Sequence, residues 1–202
     1  MRIKVCGITF QEQFDKLVEL GIDMVGLNFY KKSKRYLESD LIVSNRYQTK
    51  VTGVFVNEPL VSLKSIASKF KLDYLQLHGD EDITYCQSAC RFSSLIKVIK
   101  VKDDIDLNIF KKYNPYVDYF LLDTFTEQYG GSGKTFDWEL LSNIQTKKKL
   151  IISGGIGMEH VSKLIELKND RIWGIDVNSK FEIGPGIKDL NKIIELKKAL
   201  AE

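Results

Sequence analysis

Short apolar segments alternate with amphipathic segments along the whole chain. Eight segments have the length and apolar content of β-strands: residues 2–6, 22–28, 50–56, 72–77, 94–100, 117–122, 149–153 and 171–177. Their starts lie roughly 20 to 30 residues apart, about the length of one strand, one helix and two loops. Several are apolar almost throughout, which is typical of strands buried on both faces of a parallel sheet.

The segments between the strands carry helix signals. Thr9-Phe10-Gln11-Glu12 predicts a capping box at the start of the first helix, and Gly21 predicts that this helix ends in a left-handed turn. Apolar residues at helical spacing predict further helices after the third, seventh and eighth strands. The pattern of the second helix, near residues 39–47, is the weakest.

Eight alternating strand and helix units predict an α/β fold, a single-domain (β/α)8 TIM barrel that spans residues 1–202. The chain length lies near the lower limit for this fold, which typically needs about 200 residues or more. An open, doubly wound sheet is the alternative.

Composition excludes several classes of function. The net charge of +3 is small and evenly spread, so it gives no indication of nucleic-acid or membrane binding. Three cysteines without CxxC spacing argue against a disulfide framework or a zinc site, and we expect no metal. The chain opens directly on strand-like alternation and has no apolar run of membrane-spanning length, so we expect a cytoplasmic protein.

In a closed barrel the chemistry should collect at the C-terminal ends of the strands. The residues at these ends form a chemically coherent set: Cys6-Gly7, the 28–35 loop, Asn57, His78-Gly79, Lys100, Asp123, Gly154-Gly155 and residues 176–179.

The longest interruption of the apolar pattern follows Asp123 and contains Gly130, Gly131 and Gly133. Our hypothesis is an active-site acid followed by a mobile, glycine-containing flap. The alternative is an ordinary crossing loop in which Asp123 caps the strand. Gly133-Lys134-Thr135 imitates the end of a P-loop, but Gln128 stands where that motif needs its first glycine, which argues against an NTPase.

The seventh and eighth units suggest an anion site. Gly154 and Gly155 follow a strand and leave backbone N–H groups available to an anion. The loops after strands seven and eight commonly form the phosphate site of a barrel. The sequence therefore predicts a phosphorylated small-molecule substrate, although two tight turns that need glycine would give the same pattern.

Eight motifs cover nearly the whole chain in order: KVCGIT at 4–9, FY at 29–30 with SKRY at 33–36, GVFVN at 53–57, LQLHG at 75–79, LLDT at 121–124, GGSGKTFDW at 130–138, SGGI at 153–156 and GIDV at 174–177. Together they resemble the phosphoribosylanthranilate isomerase family of tryptophan biosynthesis. The resemblance implies an Amadori rearrangement of N-(5-phosphoribosyl)anthranilate to 1-(2-carboxyphenylamino)-1-deoxyribulose 5-phosphate, without a metal or organic cofactor.

The resemblance also implies roles for individual residues. Asp123 is the expected general acid and Cys6 the general base, and Arg35 is expected to bind the anthranilate carboxylate. The expected phosphate end consists of Gly154, Gly155 and Ser179, with Asp176 as a further pocket residue. We expect burial or a nearby negative charge to raise the pKa of Asp123, and a positive neighbour, Arg35 or Lys4, to favour the Cys6 thiolate.

Two positions depart from the family pattern. Lys180 stands where glycine is often found, and Lys34 where proline is frequent, which leaves open the phosphate turn and the rigidity of the Arg35 loop. His78 resembles the family histidine, and we interpret it as a pocket wall or structural residue.

Two other functions remain open. One is another phosphosugar isomerase or aldolase, with Lys100 as the candidate Schiff-base lysine, and the other is a non-catalytic phosphate-binding barrel. The sequence leaves a monomer and a homodimer equally open.

Overall fold

Eight parallel strands form a closed barrel in the order in which they occur along the chain. The computed structural model describes residues 1–38, 40–43, 46–124, 135–167 and 169–201. Pairing of the first strand with the eighth closes the barrel, with Lys4 opposite Asp176. The strands are β1 (Arg2–Cys6), β2 (Met24–Asn28), β3 (Lys50–Phe55), β4 (Tyr74–Leu77), β5 (Ser94–Val101), β6 (Tyr119–Thr124), β7 (Lys149–Ile152) and β8 (Ile172–Val177). The predicted barrel is therefore confirmed, and the open sheet is excluded.

Helices on the outside of the barrel connect most of these strands. They are α1 (Gln11–Glu19), α2 (Leu60–Lys69), α3 (Ile83–Ala89), α4 (Leu107–Tyr113), α5 (Val161–Glu166) and α6 (Leu190–Ala199). Short 3-10 helices occupy Trp138–Asn143, Met158–His160 and Ser179–Phe181, and a small hairpin of β9 (Glu182–Gly184) and β10 (Ile187–Lys188) precedes α6. No helix of the described residues is long and apolar enough to cross a membrane.

Two local predictions were wrong. The described part of the 39–47 segment contains no helix, and its buried residues, Leu41 and Val43, stand two positions apart rather than at helical spacing. The predicted capping box is also absent: α1 begins at Gln11 with Phe10 as its N-cap residue. The Thr9 hydroxyl instead donates to the Gly186 carbonyl and ties the end of β1 to the β9–β10 hairpin. The left-handed turn at Gly21, with a φ of 62°, is confirmed.

The strand residues separate into an outer and an inner layer because successive side chains point to opposite faces. Outward side chains such as Ile3, Val5 and Leu122 pack beneath the helices in the main core. A second cluster fills the barrel interior: Met24, Ile96, Val98, Leu121, Ile151 and Trp173. Polar side chains are buried alongside it, Lys4, Thr52, Gln76 and Asp176.

A buried ion pair outside the barrel fixes the loops that follow β3 and β4. Lys97 on β5 donates to Glu81 Oε2 at 2.8 Å and to the Gly79 carbonyl at 2.9 Å. Glu81 Oε1 accepts the backbone N–H groups of Asn57, at 2.9 Å, and Gly79, at 3.2 Å. Both side chains are almost fully buried, at 4% and 1% exposure. The pair therefore connects the loops after β3 and β4 to β5.

Candidate active site

The C-terminal mouth of the barrel brings together the described residues at the strand ends that the sequence singled out, because parallel strands have these ends on one side. Cys6 ends β1, Asp123 is the penultimate residue of β6, and Asp176 is the penultimate residue of β8. Arg35 follows β2, Gly154 and Gly155 follow β7, and Ser179 begins the 3-10 helix after β8. The glycine-containing segment after Asp123 falls within residues 125–134, outside the described residues.

Cys6 is a buried thiol between two lysines. Its residue is 6% exposed, and Gly26 on β2 leaves room for the sulfur, because a Cβ there would lie 2.7 Å from Sγ. Burial raises the pKa of Cys6 and the Asp176 carboxylate adds to the rise, while Lys4 and Lys188 oppose it. The expected positive neighbour Lys4 is therefore present. Its charge and that of Lys188 do not outweigh burial, so the thiol stays protonated at neutral pH.

Lys4 and Asp176 form an ion pair inside the barrel, with Nζ 2.9 Å from Oδ2 and both side chains buried. Burial alone would lower the pKa of Lys4, but Asp176 and Cys6 raise it above the ordinary value, so the lysine stays an ammonium. Burial raises the pKa of Asp176. The charge of Lys4 opposes this rise, and the charge of Asp123 adds to it. Asp176 thus lies within electrostatic reach of both Cys6 and Asp123.

Asp123 is held by a short chain of polar side chains. Its Oδ2 lies 3.3 Å from His78 Nε2, and His78 Nδ1 lies 3.1 Å from Gln76 Nε2. Because the Gln76 amide can only donate from Nε2, His78 Nδ1 is the acceptor and His78 Nε2 is the ring nitrogen that faces Asp123 Oδ2. The side chain of Asp123 is 23% exposed, so the expected burial is incomplete, and the nearby negative charge is that of Asp176.

Gln76 was missed by the sequence analysis, and its alternation with His78 on one face of β4 was the available signal. His78 is therefore not only part of the pocket wall, because its ring contacts both Gln76 and Asp123, the expected acid.

Arg35 lies in a loop fixed by side-chain hydrogen bonds. Ser33 Oγ accepts from Asn28 Nδ2 at 3.2 Å and from the Arg35 backbone N–H at 3.1 Å, while Asn28 Oδ1 accepts the Tyr30 N–H at 2.9 Å. These contacts order the loop without a proline at position 34. The guanidinium itself is paired with Glu182, with Nη2 2.6 Å from Oε2. The positive charges that act on Cys6 are instead those of Lys4 and Lys188.

The turn after β7 needs its glycines. Gly154 and Gly155 have φ values of 88° and 63°, in the region that side-chain-bearing residues rarely adopt. A Cβ on Gly154 would lie 2.3 Å from Thr124 Oγ1 and 2.5 Å from the Thr124 backbone nitrogen, so β6 and the turn are in close contact. The two glycines therefore give the turn after β7 a shape that other residues could not keep.

Lys180 fits the turn after β8 without strain. It is not among the described side-chain-bearing residues with positive φ, which are Tyr47, Asn57 and Lys71. Its Nζ lies 3.4 Å from Glu159 Oε1, an ion pair that bridges the loops after β7 and β8. Lysine in place of glycine at this position is therefore compatible with the turn.

Lys100, the lysine of the aldolase alternative, is exposed and lies opposite Asp123 in the register of β5 and β6.

Comparison with known proteins identifies the family. The family model for N-(5'phosphoribosyl)anthranilate (PRA) isomerase matches residues 3–199. The chain belongs to the phosphoribosylanthranilate isomerase family. A curated member, the N-(5'-phosphoribosyl)anthranilate isomerase of Parabacteroides distasonis, is 40% identical over 199 residues, which is 96% of this chain and 90% of the relative.

Solved structures of phosphoribosylanthranilate isomerases share the fold over the full chain. The enzyme of Thermotoga maritima superposes with a TM-score of 0.83 at 35% identity, covering 100% of this chain and 98% of that one. A phosphoribosylanthranilate isomerase in complex with reduced 1-(o-carboxyphenylamino)-1-deoxyribulose 5-phosphate gives a TM-score of 0.80 at 32% identity, with the same coverage. The resemblance seen in the motifs is thus confirmed at the level of the family and the fold.

Proposed function

We propose that this protein is a phosphoribosylanthranilate isomerase that converts N-(5-phosphoribosyl)anthranilate into 1-(2-carboxyphenylamino)-1-deoxyribulose 5-phosphate. The observation that carries the proposal is that a buried thiol at the end of β1 and a carboxyl group on β6 both lie within electrostatic reach of Asp176. We assign the whole of residues 1–202 to one catalytic domain. It acts in the cytoplasm, as a monomer or homodimer.

Asp123 is the general acid that opens the ribose ring. It donates a proton to the ring oxygen as the bond between that oxygen and C1' breaks, while the nitrogen lone pair forms a C=N double bond. The product of this step is an open-chain iminium ion. The Nε2–H of His78, directed at Asp123 Oδ2, orients the carboxyl group.

Cys6 is the general base of the second step. Its thiolate removes the proton from C2', the electrons form a C1'=C2' double bond, and the C=N electrons return to nitrogen. The resulting enolamine tautomerises to the ketone. A positive charge close to a thiol lowers its pKa. Formation of the iminium next to Cys6 therefore favours the thiolate when it is needed, although burial opposes it in the free enzyme.

The two ends of the substrate bind on opposite sides of these groups. Gly154, Gly155 and Ser179 bind the phosphate, where the backbone of the loops after β7 and β8 approaches closely. Arg35 binds the anthranilate carboxylate, since a planar guanidinium can offer two parallel N–H groups to it. One acid and one base complete the reaction, so the mechanism needs no metal or organic cofactor.

A fluorescence assay that follows the loss of phosphoribosylanthranilate tests the proposal. We expect activity in the wild type, and we expect Cys6→Ser and Asp123→Asn to lower kcat by about 10²- to 10⁴-fold, the usual contribution of a general acid or base. Matched controls are Cys90→Ser and Asp104→Asn, both at exposed positions, which should retain wild-type rates.

Near-normal turnover in either active-site variant would remove the role of that residue. Inactivity of the wild type on this substrate would remove the proposed function. Borohydride trapping of a covalent adduct at Lys100 in the presence of a phosphosugar would favour the aldolase alternative.

A further inference from the structure

Glu182 is a buried acid in the mouth of the barrel that the proposed chemistry does not use. It begins β9, and its side chain is 4% exposed. Its carboxylate accepts hydrogen bonds from Arg35, with Nε 2.9 Å from Oε1 and 3.0 Å from Oε2, and Nη2 2.6 Å from Oε2. The chain positions are 147 residues apart. Glu182 therefore lies against the residue that we assign to the substrate carboxylate.

These contacts use one edge of the guanidinium and leave the other. The edge formed by Nε and Nη2 pairs with Glu182. The edge formed by Nη1 and Nη2 can bind a second carboxylate in the same bidentate way, because the guanidinium carries five N–H donors. None of the described residues accepts a hydrogen bond from Nη1. Glu182 thus orients Arg35 without occupying its Nη1–Nη2 edge.

Glu182 is itself held rigidly. Lys188 Nζ lies 2.5 Å from Glu182 Oε1 and 2.6 Å from Asn178 Oδ1, and the Gly186 N–H donates to Oε1 at 3.1 Å. Lys188 is fully buried. Burial alone would raise the pKa of Glu182, but the hydrogen bonds from Arg35 and Lys188 outweigh it and lower the pKa. The acid is therefore an anion at neutral pH.

The pairing sets where the guanidinium lies. Arg35 comes from the loop after β2, and Glu182 comes after β8, on the opposite side of β1. The stem of Arg35 passes over Gly7, where a Cβ would lie 2.7 Å from Arg35 Cδ. Glu182 thus holds the arginine across the end of β1, over Gly7. Arg35 and Lys188 together carry two formal positive charges against the one negative charge of Glu182, although burial lowers the pKa of Lys188.

We propose that Glu182, fixed by Lys188, is a positioning residue that presents the free edge of Arg35 to the anthranilate carboxylate and so makes the enzyme selective for a substrate that carries this group. The inference rests on the proposed function, because it takes Arg35 as the carboxylate-binding residue. It assigns a residue and a specificity that the acid–base mechanism alone does not require.

Calorimetric titration of the full-length protein with two ligands tests this role. The first ligand is reduced 1-(2-carboxyphenylamino)-1-deoxyribulose 5-phosphate, and the second is the same compound with an unsubstituted phenyl ring. We expect Glu182→Gln to weaken binding of the first ligand about tenfold, as loss of one oriented charge-assisted contact does. Binding of the second ligand should be unchanged. Glu182→Asp, which keeps the charge with a shorter reach, should recover part of the affinity for the first ligand.

Two further variants complete the test. In Arg35→Ala, addition of Glu182→Gln should weaken binding of the carboxylated ligand no further, because the residue acts through Arg35. Glu195→Gln, at an exposed position of α6, is the control for loss of one negative charge. Thermal unfolding verifies that each variant is folded. If Glu182→Gln does not fold, Glu182→Asp supplies the same comparison of the two ligands.

Equal weakening of both ligands would overturn the inference, because it would mean a general structural role. Unchanged binding of the carboxylated ligand would overturn it as well. Failure of the proposed function gives a different result, since the wild type would then bind neither ligand and would not consume phosphoribosylanthranilate.

Discussion

As a general base, Cys6 must be a strong base and must also be available as the thiolate, and these two requirements conflict. A base that removes a proton from carbon must be strong, and burial makes the thiolate of Cys6 a stronger base by raising its pKa. The same burial keeps the resting side chain protonated. Lys4 and Lys188 limit the rise and keep the thiolate within reach. The charges around this one atom thus set the balance between the strength of the base and the fraction of enzyme that is ready to react.

Alkylation of the three cysteines as a function of pH measures this balance. We expect Cys6 to react with iodoacetamide with a pH midpoint above about 8.5, the ordinary value for a thiol, because its folded-state pKa is raised. At neutral pH it should react more slowly than the exposed Cys90, which is the internal control. Peptide mapping by mass spectrometry distinguishes modification of Cys6 from modification of Cys86 and Cys90. A midpoint for Cys6 below that of Cys90 would contradict the assignment.

The turn after β7 requires glycine at position 154. Gly154 combines a positive φ with close contact to Thr124 on β6, so neither the backbone conformation nor the space allows a side chain. Thr124 Oγ1 in turn accepts the Phe136 N–H at 3.0 Å, on the far side of the segment that follows β6. The proposed phosphate turn is thus packed against the strand that carries the proposed acid.

Replacement of Gly154 by alanine should disturb both the turn after β7 and its packing against β6. We expect a loss of roughly 1–3 kcal/mol in the free energy of unfolding, from the strained backbone and the contact with Thr124, together with a higher KM. Gly184→Ala is the matched control, because a Cβ at Gly184 has no atom within 4 Å, and it should change stability by less than about 0.5 kcal/mol. Urea unfolding and steady-state kinetics measure the two effects. Equal stability of the two variants would show that the turn can adapt.

The elements that the sequence predicted correctly are those with local signals. The eight strands follow from apolar runs at regular spacing, and Cys6, Asp123 and the paired glycines stand in short motifs at strand ends. The second helix was predicted from a weak pattern, and the described part of the 39–47 segment has no helix. Glu182 carried no such signal, since its role depends on a contact with Arg35 that only the closed barrel creates. Gln76 alternates with His78 along the chain, but its role depends on the His78–Asp123 contact, which the barrel also creates.

Across the whole molecule, the contribution of an ion pair to the free energy of unfolding depends on how deeply the pair is buried. Lys97 and Glu81 are almost fully buried and join the loops after β3 and β4 to β5. Lys50 and Asp73 form an exposed pair near the other end of the barrel, with the lysine side chain 53% exposed and a separation of 3.4 Å. Water screens the second pair, whereas removal of one partner from the first leaves a buried charge uncompensated.

Urea unfolding of two lysine-to-methionine variants tests this difference. We expect Lys97→Met to lower the free energy of unfolding by about 3–5 kcal/mol, the usual result of breaking a buried pair. Lys50→Met should lower it by less than about 1 kcal/mol. A second change, Glu81→Gln in the Lys97→Met background, removes the stranded charge and should restore part of the loss. If the double variant were less stable than Lys97→Met, the cost would come from the hydrogen bonds that Glu81 accepts from Asn57 and Gly79 rather than from the buried charge.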